Sequence, residues 1–279
     1  MQELRGKAAS DRIKEECLSF VHAHNGEMPA LAVLRVGARP EDLAYERGLK
    51  KRFPDFGLEV KTYEMEADVT NEAFQEVFDF INDDPEITGI LVMRPLPPQI
   101  DEKEMLRKLH PEKDMDGITE QNIARVMQAD PEAYAPCTAE AVIELLKAYD
   151  IPLEGRHAVV LGRSMVVGKP LAMLLLRENA TVTVCHSRTE NLKEITKTAD
   201  ILVAAIGKAG FVGSSFLRED AVVVDVGING TEDGRIVGDC DYDTVKTVAS
   251  AVSPVPGGVG SVTTAVLAKH LVRAAALKE

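Results

Sequence analysis

The chain alternates between short apolar runs and segments whose apolar residues recur every three or four positions. Leu31-Ala32-Val33-Leu34, ending at Gly37, and Ile87-Thr88-Gly89-Ile90-Leu91-Val92-Met93, stopped by Pro95, Pro97 and Pro98, have the length of buried strands. Leu58-Glu59-Val60-Lys61-Thr62-Tyr63 alternates like a strand with one wet face. Residues 4–24 carry Ala8, Ile13, Cys17, Leu18 and Val21 close to helical period, with Gly26 as the stop. Pro40-Glu41-Asp42 opens a helix to about Phe53, with its acids in the N-terminal turn. Another helix is predicted from Asn71 to Ile81, after the turn Asp68-Val69-Thr70. This β-α-β-α-β order predicts an α/β domain around a parallel sheet.

The stretch from Pro97 to Cys137 is irregular, with short helices expected at about 102–109 and 119–127. Thr138 is placed to cap a helix from Ala139 to Tyr149 that leads into a second domain. There the rhythm resumes: strand 157–161, helix 168–177, strand 181–185, a short helix near 191–196, and strands 201–205 and 221–225. Val262, Ala265, Val266 and Leu267 mark one face of a final helix over about 262–277. The expected fold class is α/β throughout, in two domains.

A length of 279 residues agrees with two domains of ordinary size, and 45% hydrophobic with 28% charged residues is the balance of a soluble globular protein. The net charge of −13 argues against a nucleic-acid or anionic-membrane partner, yet leaves room for an anionic small ligand in a local basic pocket. No apolar run approaches the ~18 residues of a membrane span, and Met1-Gln2-Glu3-Leu4-Arg5-Gly6-Lys7 lacks the order of a signal peptide. Cys17, Cys137, Cys185 and Cys240 form no C-x-x-C pair and read as reduced thiols of a cytoplasmic protein. Only His22 and His24 lie close together, and residues two apart on a helix do not share a face, so no metal site is expected.

The densest chemical signal is Val159-Val160-Leu161-Gly162-Arg163-Ser164-Met165-Val166-Val167-Gly168-Lys169-Pro170. It has the order strand, tight turn, helix, and a helix N-terminus facing such a turn suits a phosphate. Its Gly-x5-Gly spacing departs from the usual dinucleotide G-x-G-x-x-G, and a plain tight turn without a ligand also fits. The next strand ends in His186-Ser187-Arg188-Thr189, with no acid before Glu190. In a dinucleotide fold this position faces the adenosine ribose, where an acid favours NAD and a basic residue accommodates the extra phosphate of NADP. Arg163, Ser187 and Arg188 therefore favour NADP, against the alternative that Arg188 is a solvated surface charge. Ala204-Ala205-Ile206-Gly207-Lys208 and Asp225-Val226-Gly227-Ile228-Asn229 are two further strand ends where ligands bind in open sheets. Pro254-Val255-Pro256-Gly257-Gly258-Val259-Gly260 reads equally as an ordinary turn or as a loop bringing N–H groups against a ligand.

Lys113-Asp114-Met115-Asp116-Gly117, Pro136-Cys137-Thr138, the glycine turn and the Pro/Gly run follow one another in an order that resembles the methylenetetrahydrofolate dehydrogenase/methenyltetrahydrofolate cyclohydrolase family. The resemblance spans about Leu4 to Leu271. It implies an N-terminal folate-binding domain (residues 1–138, joined by the last helix, 262–279) and a Rossmann-type NADP-binding domain (139–261). It also implies a folate cleft between them and a homodimer formed through the cofactor domains. Gly162, Arg163, Ser164, Val167, Gly168, Ser187, Arg188 and Ile228 are then expected at the cofactor. Tyr45, Leu49, Met93, Asp116, Pro256, Gly257 and Gly258 are expected at the folate, with Tyr45 and Asp116 as the working side chains.

Family members carry a Lys four residues after the Tyr, and a Gln that tunes it, for hydrolysis of the methenyl compound. Here those positions are Leu49 and Met93. The distances from Gly37 to Tyr45 and from Tyr45 to Gly57 keep the family spacing, so a gap does not restore the Lys. Lys50 lies about 100° around the helix from Leu49. Ser261-Val262 replaces the usual Pro-Met. The resemblance thus implies an NADP-dependent methylenetetrahydrofolate dehydrogenase with weak or absent cyclohydrolase activity, working with a separate cyclohydrolase. A silent folate- or nucleotide-binding paralogue, a bifunctional enzyme using a substitute basic residue, and an oxidoreductase acting on a different substrate are the alternatives at this point.

Overall fold

The computed structural model describes residues 1–24, 28–231 and 233–278, so the stop expected at Gly26 lies outside the described residues. In chain order the elements are β1 (Gln2–Glu3), α1 (Lys7–Ala23), β2 (Ala30–Val36), α2 (Pro40–Arg52), β3 (Glu59–Met65), α3 (Asn71–Asp83), β4 (Gly89–Val92), α4 (Glu102–Lys108), α5 (Glu120–Met127) and α6 (Cys137–Ala148). They continue with β5 (His157–Leu161), α7 (Gly168–Arg177), β6 (Thr181–Cys185), α8 (Leu192–Thr196), β7 (Ile201–Ala204) and β8 (Val222–Asp225). The hairpin β9 (Asn229–Gly230) and β10 (Ile236–Val237), then α9 (Tyr242–Val245), β11 (Ala251–Val252) and α10 (Val259–Ala276), complete the order. The chain divides into two units. One is Met1–Arg12, Val126–Pro131 and Ala135–Val266; the other is Ile13–Arg125, Glu132–Tyr134 and Leu267–Glu279.

The second of these units holds a three-stranded sheet in the order β3-β2-β4, parallel throughout. β2 is central and buried along its whole length, which is why its sequence is a continuous apolar run interrupted only by Arg35. Ala30, Ala32, Leu34 and Val36 line one face and meet Phe74, Phe78 and Ile81 of α3, spaced four and three apart on one helical stripe. Thr70 caps that helix through its hydroxyl, which accepts from Ala73 N at 3.3 Å. The C-terminal part of α10 belongs to this unit as well, with His270 Nδ1 2.8 Å from Met115 O, as expected of a last helix returning to the first half of the chain.

The other unit holds six parallel strands in the order β1-β11-β8-β7-β5-β6. Val159, Leu161, Leu202, Ala204, Val223 and Val252 form its core with Val212, Phe216 and Val245. β6 lies on one side of β5 and β7 on the other, so the chain order reverses beside β5, the place where open α/β sheets bind ligands. Gln2 and Glu3 pair with Ala251 and Val252, which draws the start of the chain into this unit. Two-residue strands carry no period, so β1 and β11 left no trace in the hydrophobic pattern.

Among the boundaries that differ from the expectation, two helix starts have a local cause. Thr138 is not a cap: α6 begins at Cys137, and Pro136 stands before its first turn, where a residue without an N–H costs nothing. Pro136 O accepts from Ala139 N at 2.9 Å and Glu140 N at 3.1 Å. The final helix starts at Val259, three residues early, because Gly260 sits in the first turn, where a glycine breaks no interior hydrogen bond.

Candidate active site

Leu161 ends β5 in the core, and the chain must then leave the sheet within one residue. Gly162 does this at φ +123°, and a Cβ there would lie 2.2 Å from Ala205 O. Gly168 opens α7 against the turn itself, where a Cβ would lie 2.1 Å from Gly162 O. Both glycines are therefore required by space, and the first by conformation too. Gly162 N donates to Cys185 O at 2.9 Å, tying the turn to the end of β6. Ser164 holds its far side: its hydroxyl accepts from Val167 N at 3.1 Å and its carbonyl from Lys169 N at 3.0 Å.

A cavity of about 300 Å³ opens over this turn, with Gly162, Arg163, Ser164 and Ser187 among its walls. Four of the residues named from the sequence thus come together. The others stand apart from the walls: Val167 and Gly168 lie under the turn, Arg188 is exposed on the following loop, and Ile228 is 68% exposed on another strand end. Arg188 N donates to His186 Nδ1 at 3.2 Å, which holds the backbone of this loop. The sequence did not single out Leu192 and Phe211, which also line the cavity, nor Lys208 as a wall residue; Lys208 Nζ stands 5.6 Å from the Phe211 ring centre. Their only signal was position, just beyond a strand end and a glycine. The glycine cradle and the exposed Arg163 beside Ser187 fit a phosphate-bearing dinucleotide.

In the Ile13–Arg125 unit, Tyr45 and Leu49 are four apart on α2 and share a face. Tyr45 is half-buried and Leu49 is 0% exposed. Met93 follows β4 and is buried, its N–H donating to Leu34 O at 2.9 Å. Lys50, the residue after Leu49, is held by an ion pair. Its Nζ is 2.6 Å from Oε1 of the buried Glu46, whose Oε2 accepts from Arg35 Nε at 2.8 Å. Arg35 also pairs with Glu64 at 2.8 Å and donates to Gly37 O. Burial pushes the Glu46 carboxyl up, but the hydrogen bonds and charges of Lys50 and Arg35 outweigh it and hold its pKa below the ordinary range.

A depressed carboxyl contributes stability that is full above its ordinary pKa of about 4.3 and is lost as pH falls through the lower folded value. Glu46→Gln is expected to destabilise the protein by about 3 kcal/mol at pH 7, with the deficit shrinking below about pH 4. Denaturant melts of both proteins at the two pH values check this.

The Lys113-Asp114-Met115-Asp116-Gly117 segment separates into braces and one candidate. Lys113 Nζ donates to Asn82 O at 2.6 Å and Asp84 O at 2.7 Å, and burial pushes its pKa down. Asp114 is 1% exposed and accepts from Ile118 N at 3.0 Å, Thr119 N at 2.8 Å, Thr119 Oγ1 at 2.7 Å and Asn122 Nδ2 at 2.9 Å. Asp116 remains half-buried beside these fixed neighbours. The Pro/Gly run, in the other unit, is no loose turn. Gly257 has φ +101°, and its carbonyl accepts from Gly6 N at 2.9 Å. Ser261 Oγ donates to Gly258 O at 2.7 Å, while Ser261 O accepts from Ser10 Oγ at 2.9 Å. Pro256 and Gly257 are exposed and Gly258 is buried.

A parallel sheet with a glycine turn at its switch point defines the class: a protein with a dinucleotide-binding domain and a second α/β unit. Residues 4–116 match the catalytic domain of tetrahydrofolate dehydrogenase/cyclohydrolase, and residues 136–279 match the NAD(P)-binding domain of the same enzymes. The chain belongs to the tetrahydrofolate dehydrogenase/cyclohydrolase family. It is 50% identical over 277 residues to a bifunctional FolD protein of Alkaliphilus oremlandii, covering 99% of this chain and 97% of the relative. The bifunctional FolD dehydrogenase/cyclohydrolase structure from Campylobacter jejuni superposes with a TM-score of 0.96 at 37% identity, over 100% of both chains. The Trypanosoma brucei FolD structure, complexed with NADP and an inhibitor, gives 0.90 at 34% identity over 98% of this chain and 95% of that one.

Proposed function

We propose that this protein oxidises 5,10-methylenetetrahydrofolate to the 5,10-methenyl compound with NADP and hydrolyses the product weakly or not at all. The reading is carried by the buried apolar side chains of Leu49 and Met93, which the resemblance sets where the family has its hydrolytic Lys and Gln, and by Lys50 being tied to Glu46. The two half-reactions make unequal demands. The carbon that loses hydride lies between two nitrogens whose lone pairs stabilise the cation formed, so orientation of the two reactants does most of the work. Bound NADP supplies the hydride acceptor. Tyr45 positions the pterin and Asp116 anchors it, while Pro256, Gly257 and Gly258 supply backbone beside the reacting rings. Hydrolysis of the methenyl cation instead requires a side chain to manage protons, and neither Leu49 nor Met93 can do so. A separate cyclohydrolase then completes the sequence.

NADP is the cofactor. Its extra phosphate is met by Arg163, Ser187 and Arg188, and Gly162, Ser164, Val167, Gly168 and Ile228 shape the rest of the site. The exposed Arg163 in the cavity wall beside Ser187 supports this, as does the NADP held by the Trypanosoma brucei relative. Arg163→Ala and Arg188→Ala are each expected to raise KM for NADP about tenfold with little change for NAD. Initial rates with the two cofactors check this.

The protein acts as a cytoplasmic homodimer formed through the cofactor unit. β6 is an edge strand of the large sheet with Val184 38% exposed, which supports that surface as the contact. The overall reading is tested with methylenetetrahydrofolate and either NADP or NAD. NADPH and methenyl product should rise together, and equal or faster turnover with NAD would overturn the assignment of Arg163, Ser187 and Arg188. Good NADP binding without any NADPH formation would favour a silent paralogue.

A further inference from the structure

Two buried carboxylates brace the C-terminal edge of the six-stranded sheet. Asp225, 4% exposed, ends β8, and Asp239, 0% exposed, follows β10. Asp239 Oδ2 accepts from Ile206 N at 2.6 Å and Gly207 N at 3.0 Å; its Oδ1 accepts from Lys208 N at 2.8 Å and Asn229 Nδ2 at 3.0 Å. Asp225 Oδ1 accepts from Gly227 N and Asp239 N, both at 2.9 Å, and its Oδ2 from Cys240 N at 2.8 Å. Each carboxylate presses on the glycine beside the other. A Cβ on Gly227 would lie 2.3 Å from Asp239 Oδ1, and one on Gly238 would lie 1.9 Å from Asp225 Oδ2. Neither glycine has a positive φ, so the approach of the carboxylates explains both.

Asp239 thereby binds the loops after β7 and β8 into one piece. Ile206 and Lys208 of the first loop line the cavity, and the second carries the exposed Ile228. In a dinucleotide fold the glycine turn and the strand after it take the phosphates and adenosine. The other nucleoside then lies across the switch point, at the ends of β7 and β8. The donors to Asp239 named above are neutral, so they orient and solvate its charge without cancelling it.

We propose that Asp239 is a positioning residue for the nicotinamide half of the cofactor, and that its buried negative charge favours the oxidised, cationic ring over the reduced, neutral one. This rests on the NADP reading above. The test is calorimetric titration of NADP and of NADPH into the wild type, Asp239→Asn and Asn229→Ala, with thermal melts of each. Asp239→Asn should weaken NADP about tenfold more than NADPH, the size of one unit charge acting over about 10 Å of protein. Asn229→Ala keeps the carboxylate and every backbone donor but removes one dipole facing it, so its ratio should move the other way, toward NADP. A site braced only structurally would lose both ligands in parallel. That result, or a shift in the same direction in both variants, overturns the proposal. If Asp239→Asn does not fold, an unchanged or reversed ratio in Asn229→Ala does so alone. A wild type that binds neither ligand would instead overturn the NADP reading, and this inference with it.

Discussion

Replacing Leu49 by lysine and Met93 by glutamine together should raise enzyme-dependent hydrolysis of methenyltetrahydrofolate by about 100-fold, the lower end of what one positioned acid–base group contributes. Leu49 shares a helix face with Tyr45, so a lysine there extends beside the side chain we assign to the pterin. Leu49 is also 0% exposed, and an ammonium at a fully buried position without a partner is costly. The single variant Leu49→Lys is therefore expected to gain less activity and lose more stability than the double variant, since the resemblance implies a glutamine at position 93 that tunes the lysine. Stopped-flow decay of the methenyl chromophore and a thermal melt measure both effects. No gain in a folded double variant would mean that residues 49 and 93 do not control hydrolysis.

The second large effect belongs to the cofactor unit. Gly162→Ala should abolish NADP-dependent turnover and lower stability by about 3 kcal/mol, because the new methyl meets Ala205 O at 2.2 Å from a φ of +123°. The two causes reinforce each other, since relieving the contact means moving either the end of β5 or the loop after β7. That second loop is the one held by Asp239 through Ile206, Gly207 and Lys208, so it has little freedom to yield. Equilibrium binding of NADP and a denaturant melt provide the check, and unchanged binding would remove the turn from the site.

The features legible in the sequence were those with a local cause. Strand–helix alternation set the two α/β units, since each element needs an apolar face of its own period. Gly162 and Gly168 were readable because a turn between strand and helix needs them. Leu49 and Met93 drew notice only through the resemblance, which implies polar residues at those positions. What stayed hidden depends on contacts between distant segments. Glu46 and Lys50 form a visible i, i+4 pair, but Arg35 reaches them from β2 and no spacing announces it. Asp239 belongs to no motif the sequence offered, and its bonds to the loops after β7 and β8 required the fold. The division of Lys113-Asp114-Met115-Asp116-Gly117 into braces and a candidate ligand residue likewise required the fold, since Lys113 and Asp114 carry the same chemistry as an active-site pair.

The central claim is that the dehydrogenase half of the family's chemistry is retained while the hydrolytic half is weak or absent. Its most direct measurement is the decay of added 5,10-methenyltetrahydrofolate, followed with and without the protein, in a preparation already shown to form NADPH from methylenetetrahydrofolate. The account predicts that the two decay curves nearly coincide. Rapid decay that scales with protein concentration would contradict it.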